Sequence, residues 1–201
     1  MIRHILFDAD GVLQDIPGGW EGSLAPFLGE RSGEFLRETW REEFATLSGI
    51  GDYKPLLAAR LASYGVSEPV EVVYSAVWHR IDLIAESIAL VGALRGAGYG
   101  VHLATNQERH RARYMRTELG YDELFDVSCY SCDLGVAKPS PDFFHRAADR
   151  IGAVPSSILF IDDSEANVAG ALSVGLAAEH WHFERGHPSL LELLARHGVH
   201  P

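Results

Sequence analysis

Seven polar side chains stand where short apolar runs end. Asp8 and Asp10 follow Ile5-Leu6-Phe7, and Thr105 and Asn106 follow Leu103-Ala104. Lys138 comes after Val136-Ala137, and Asp162 and Asp163 close Ile158-Leu159-Phe160-Ile161. Four carboxylates brought to one rim would repel one another, so they call for a cation or for protonation. An all-oxygen cluster suits Mg²⁺, which keeps waters and takes one or two carboxylates plus phosphate oxygens. Lys138 adds a compact positive charge suited to a phosphate oxygen. Lys54 is the one other lysine among 17 basic residues, so a lysine at this place marks a specific need. Thr105 and Asn106 offer a hydroxyl, an amide and backbone N–H groups at a strand-to-helix turn, which suits an anion. Each feature alone has a plainer reading. Asp10-Gly11 can be a turn, Thr105-Asn106 or Asp162-Asp163 a helix cap, and Lys138 a loop charge. Their recurrence at successive strand ends is what points to chemistry on a phosphate group.

The elements that must position them follow from the apolar pattern. Strand-like runs cover 2–7, 99–104, 126–131 and 157–161, with a weaker one at 176–180. Helical patterns cover 87–97, 108–119, 140–151, 165–174 and 188–197, and Ser140 with Pro141 marks one start. This alternation predicts an α/β fold, a doubly wound parallel sheet covered on both faces. Ligands in such sheets bind beyond the carboxyl ends of the strands, where the seven residues lie.

One stretch breaks the alternation. Between Asp15 and Asp82 no strand run is evident, and helical patterns occupy 20–28, 32–47, 53–64 and 68–84. A connection this long is structured or functional. It predicts a small all-helical cap domain of residues 15–86, inserted into a catalytic core of residues 1–14 and 87–201. The crossings at 13–19 and 84–87 are the expected hinges for opening and closing. Trp20, Trp40, Arg41, Trp78, His79 and Arg80 have the most recognition potential there, although packing is the plainer role for the tryptophans.

Composition limits the partners. The chain has 201 residues, 47% apolar and 22% charged, with a formal net charge of −11, which is ordinary globular composition. The acidic balance argues against nucleic acid. Arg109, His110, Arg111, Arg113 and Arg116 fall at helical spacing and read as a solvated helix face. No apolar run of about 18 residues exists, so no membrane span is expected. The start reaches an acid at Asp8 too early for a signal peptide, so a cytoplasmic protein is expected. The partner implied is a small phosphorylated metabolite. Monomer and homodimer are both open. Cys129 and Cys132 read as a strand pair pointing to opposite faces, unfit for redox or metal chemistry. His180, His182 and His187 read as a strand end and loop.

The residues at the strand ends also carry a resemblance. The chain resembles the haloacid dehalogenase-like hydrolase superfamily over nearly its whole length. The motifs, in the family's order, are Ile5-Leu6-Phe7-Asp8-Ala9-Asp10-Gly11-Val12-Leu13, then Leu103-Ala104-Thr105-Asn106, then Lys138-Pro139 with Pro141-Asp142, then Ile158 to Asn167. The insertion sits where members with a helical cap carry theirs. The wording is similar to sugar-phosphate phosphatases and to the phosphatase domain of epoxide hydrolases. The resemblance implies Asp8 as nucleophile and Mg²⁺ ligand, and Asp10 as general acid and base whose backbone carbonyl binds the metal. It implies Thr105, Asn106 and Lys138 as phosphate-binding, Asp163 as metal ligand, Asp162 as a second or water-mediated ligand, and Asn167 as support. The reaction implied is hydrolysis of a small phosphate monoester through an aspartyl-phosphate. Alternatives are a sugar phosphomutase of the same fold, a non-catalytic phosphate-binding protein, and, remotely, a signalling receiver domain.

Overall fold

On a strand, successive side chains point to opposite faces. In β1 (His4–Phe7), Ile5 and Phe7 enter one buried cluster and Leu6 enters another. The same division runs through β4 (Gly100–Thr105) and β6 (Ile158–Asp162), because both pair with β1 in parallel register. His4 is level with Gly100 and Ile158, and Phe7 with Leu103 and Ile161. β5 (Val127–Tyr130) and β7 (Ala177–His180) flank them, giving one parallel sheet ordered β5-β4-β1-β6-β7. The computed structural model describes residues 1–201. It contains the doubly wound sheet that the alternation predicts.

Helices cover both faces. α5 (Ala85–Gly96), α6 (Arg109–Thr117), α7 (Tyr121–Leu124) and α11 (His187–Arg196) contribute Leu94, Met115, Tyr121 and Leu194 to the cluster of Ile5 and Phe7. α9 (Pro141–Ile151) and α10 (Glu165–Ser173) contribute Phe143, Phe144 and Ala171 to the cluster of Leu6. Ser140 occupies the cap position of α9 but makes no side-chain cap bond. No helix is long and apolar enough to cross a membrane.

Between the first strand and α5 lie α1 (Gly19–Leu28), α2 (Ser32–Leu47), α3 (Tyr53–Ser63) and α4 (Val70–Val77). They share a third buried cluster that includes Leu24, Phe35, Leu57, Val73 and Trp78. This helical lobe thus has its own core. The helical pattern at 68–84 is overlong: the helix stops at Val77. Just beyond, Asp82 and Leu83 form β3, which pairs antiparallel with β2 (Gln14–Asp15). That two-stranded ribbon ties together the two chain crossings. Main-chain pairing of so few residues leaves no hydrophobic period to read, and for this reason the sequence shows no strand there.

The strand expected over 126–131 also ends early. Ser131 opens a single turn, α8 (Ser131–Leu134), so Cys132 is helical and the opposite-face argument does not apply to it. Both cysteines are free and buried, and burial pushes both thiols up, to about 12 for Cys129 and about 11 for Cys132.

Leu57 is fully buried in the lobe. Leu57→Ala is expected to lower unfolding free energy by about 2–5 kcal/mol, through lost transfer energy and the cavity left behind. Urea denaturation followed by circular dichroism measures this, and a loss under about 1 kcal/mol would mean that the lobe core is not close-packed.

Candidate active site

Adjacent parallel strands end side by side, so the residues that follow them meet. Asp8, just past β1, donates its backbone N–H to Ile161 of β6 at 2.9 Å. Asp162 is the last residue of β6. Between the two carboxylates sits the Lys138 ammonium, 2.8 Å from Asp8 Oδ1 and 2.6 Å from Asp162 Oδ2, while it also donates to the Ala104 carbonyl at 2.8 Å. The Lys138 side chain is 0% exposed. Burial alone would drive off its proton, but Asp162 and Asp8 outweigh burial and hold its pKa above the usual lysine value. Burial, reinforced by Asp162, pushes the Asp8 carboxyl well above its ordinary value despite Lys138.

The oxygens of Asp162 are committed. Besides Lys138, they accept the Ser164 backbone N–H at 2.8 Å and the Asn167 amide at 2.9 and 3.1 Å. Asp163 is freer. Its backbone carbonyl accepts from His180 Nε2 at 2.8 Å, so His180 fixes the acidic loop rather than standing as a bare strand end. Carboxylate oxygens of Asp8, Asp162 and Asp163 lie within 4.8 Å of one another. Burial and Asp162 also raise the Asp163 carboxyl. Gly11 makes this approach possible: its φ is +77°, and a Cβ there would lie 2.6 Å from Asp163 Oδ2.

Thr105 and Asn106 reach the same rim with their side chains engaged. Thr105 Oγ1 accepts from Gln107 Nε2 at 3.0 Å. The Asn106 amide donates to the Lys138 carbonyl and accepts the Lys138 N–H, both at 2.9 Å, which fixes the loop that delivers the lysine.

The Asp10 carboxylate is engaged by residues outside the three-acid cluster. Arg111 grips it in two parallel bonds, Nη1 to Oδ2 at 2.6 Å and Nη2 to Oδ1 at 2.7 Å. The amides of Gln14 and Gln107 donate to the same carboxylate at 2.9 and 2.8 Å. Burial would raise the Asp10 pKa, but the Arg111 charge and these donors outweigh it and hold the carboxyl below its usual range. This corrects the solvated-face reading of the Arg109–Arg116 segment. Arg111 is buried, and α6 is where the helical lobe docks. Arg111 Nε donates to the Trp78 carbonyl at 2.9 Å, Arg109 donates to the Gly49 carbonyl at 2.6 Å, and His110 pairs with Asp52 at 2.7 Å. Tyr74 donates to Glu108, whose carboxylate also caps α6 by accepting the N–H groups of His110 and Arg111. The sequence held one clue to Arg111. It lies in the first turn of the helix after Thr105-Asn106, and helical side chains lean back toward the N-terminus, here toward the strand end.

Comparison with known proteins agrees with this arrangement. The sequence profile of the haloacid dehalogenase-like hydrolases matches residues 2–175. The chain belongs to that family. It is 26% identical to (S)-2-haloacid dehalogenase 1 of Pseudomonas sp. over 87% of this chain and 82% of that protein. It is 28% identical to phosphoglycolate phosphatase of Salmonella typhimurium over 87% and 81%. It also matches acyl-CoA dehydrogenase family member 10 of Mus musculus at 26% identity, spanning 87% of this chain but 17% of that longer protein. A solved haloacid dehalogenase family enzyme from Bacteroides thetaiotaomicron, in complex with magnesium and inorganic phosphate, superposes with TM-score 0.75 at 18% identity, covering 90% of this chain and 94% of the other. The family member described here is thus a hydrolase with phosphatase relatives.

Removing Arg111 leaves Asp10, the Gln107 side-chain oxygen and the Trp78 carbonyl without their donor. Arg111→Leu is expected to cost about 2 kcal/mol at pH 7, less than a fully buried pair because the Asp10 side chain keeps 34% exposure. Asp10 has a depressed folded pKa, so its contribution is complete above the unfolded value of about 3.9 and is lost as pH falls through the folded value. The gap between wild type and variant in urea stability therefore narrows below about pH 4, and a pH-independent gap would contradict the pairing.

Proposed function

We propose that this chain is a Mg²⁺-dependent phosphatase that hydrolyses a small phosphate monoester through an aspartyl-phosphate on Asp8. The observation that carries the reading is the buried Lys138 ammonium, which holds Asp8 at the strand ends with Asp10 two residues on. Lys138 turns one Asp8 oxygen inward. The other attacks phosphorus, and the bond from phosphorus to the ester oxygen breaks. Asp10 gives the departing alcohol its proton. A water then attacks phosphorus, Asp10 takes a proton from it, and the bond to Asp8 breaks to release inorganic phosphate. The Thr105 hydroxyl and the Asn106 backbone N–H would bind the phosphoryl oxygens, while Lys138, whose three N–H groups go to Asp8, Asp162 and the Ala104 carbonyl, would offset their charge. Because Asp10 is held ionised by Arg111 in the arrangement seen here, donation requires that pair to loosen as substrate enters.

The acids fit a hard cation. Asp8 and Asp163 are raised by burial and by mutual repulsion with Asp162, a charge excess that a cation would relieve. Asp8, Asp163 and the Asp10 backbone carbonyl would hold it, and Asp162, with its oxygens engaged, orients Lys138 and Asn167 or acts through water. Bound Mg²⁺ would supply charge neutralisation at the phosphoryl group. The solved Bacteroides enzyme with magnesium and phosphate supports this choice.

Asp10 also bears on the family's two chemistries. An alkoxide leaving group needs a proton, whereas a halide does not, so an acid at this place favours esters. We further assign residues 15–86 as a mobile cap over a core of 1–14 and 87–201, hinged near the β2–β3 ribbon. Two free cysteines fit the reducing cytoplasm.

Phosphate release from a panel of monoesters, with Mg²⁺ or with EDTA, tests the reading. Release should require the metal, Asp8→Asn should abolish it, and Asp10→Asn should lower kcat by about 10²–10⁴-fold. Undiminished turnover by pure Asp8→Asn protein would sink the mechanism.

A further inference from the structure

Between the lobe and the core lies a cavity of about 210 Å³ that opens onto Asp10. Its lobe walls are Trp20 from α1, Trp40, Glu43 and Leu47 from α2, and Trp78 just after α4. Trp40, Glu43 and Leu47 are spaced three and four apart, so they share one face of α2. The indoles form a partial cage. Trp20 and Trp40 meet edge to face at 6.4 Å between ring centroids, and Trp20 and Trp78 are tilted at 5.8 Å.

Glu43 is the odd member. It is half-buried against this space, and its carboxylate makes no hydrogen bond and no ion pair. Burial, with Glu108 next, pushes its carboxyl up to about 8, so by itself it keeps its proton at neutral pH, and a cation arriving beside it would favour the carboxylate. The one cation lining the cavity cannot serve it. Arg111 is spent on Asp10, Gln107 and the Trp78 carbonyl. Its guanidinium also lies 5.1 Å from the Trp20 ring centroid, so this indole already accepts a cation. With Asp10 and Arg111 paired to each other, Glu43 is the one uncommitted acid lining the space above Asp10.

We propose that Glu43 and the tryptophans select leaving alcohols that carry a positively charged nitrogen, so that the substrate is a phosphate ester of a small amino alcohol. This rests on the phosphatase reading. A cationic nitrogen gains the indole faces and stabilises Glu43 in its ionised form, the proton passing to solvent. A carboxylate or a second phosphate on the alcohol would find no free cation in the cavity to receive it.

The experiment compares matched esters. Phosphocholine is set against its neutral isostere 3,3-dimethylbutyl phosphate, phosphoethanolamine against propyl phosphate, and phosphoglycolate serves as the anionic ester. For at least one pair, kcat/KM for the cationic ester is expected to exceed the neutral one by about tenfold or more, with phosphoglycolate below both. Glu43→Gln should bring that ratio toward one, chiefly through KM. Should Glu43→Gln fail to fold, Trp40→Leu is expected to lower the same ratio. Equal rates within both pairs, a ratio unchanged by the variants, or preference for phosphoglycolate would each overturn the proposal. Tryptophan fluorescence titration of Asp8→Asn protein with the same esters reads recognition without turnover. Preference retained there while wild type releases no phosphate would fault the reaction and uphold the cavity assignment.

Discussion

Three strand ends meet at one ammonium group. Lys138 reaches the Ala104 carbonyl on β4, Asp8 beyond β1 and Asp162 at the end of β6, and these are neighbouring strands of the sheet. A buried ammonium is expensive unless it is paired and hydrogen-bonded, and all three partners are needed to offset that cost. The constraint spreads outward. The Lys138 backbone is fixed by Asn106, Asp162 is fixed by Asn167 and Ser164, and the acidic loop is held by His180. Lys138, Asp162 and the acidic loop are therefore each held by a second residue.

Against this fixed centre, the second aspartate is handled by different physics. Asp8 and Asp10 are two residues apart, yet their acidities are pushed in opposite directions. Burial and Asp162 raise Asp8, while Arg111, against the effect of burial, lowers Asp10. The separation comes from direction. Asp8 faces the sheet and Asp10 faces the helix that carries the lobe. The same Arg111 that restrains Asp10 also donates to the lobe backbone at Trp78, so the state of the acid and the position of the lobe share one side chain. A link of this kind ties the position of the lobe to Asp10 without involving the lysine-centred cluster.

The parts legible in the sequence were those set by local pattern. Apolar runs located β1, β4 and β6, and the residues that follow them, Asp8, Thr105, Asn106, Asp162 and Asp163, come together because parallel register allows nothing else. Lys138 was legible through its rarity. The parts that were hidden depend on docking between distant segments. Arg111 looked like one charge among several on a solvated helix, and only the lobe settling on α6 buries it. Glu43 carries no local signal, since a glutamate in a helix rich in charged residues is ordinary. The β2–β3 ribbon was too short to show a period, and the helical turn at Ser131 interrupted a run that read as strand.

The lobe has its own buried cluster, enters and leaves the core through a four-residue ribbon, and makes many of its polar contacts with the first turns of α6. That arrangement makes it a transplantable unit. A foreign helical segment grafted between Asp15 and Asp82 would have to return a hydroxyl to Glu108, carbonyls to Arg109 and Arg111, and a carboxylate to His110. The junction then works as a standard coupling, in which Glu108, Arg109, His110 and Arg111 define the connector that any donor lobe must match.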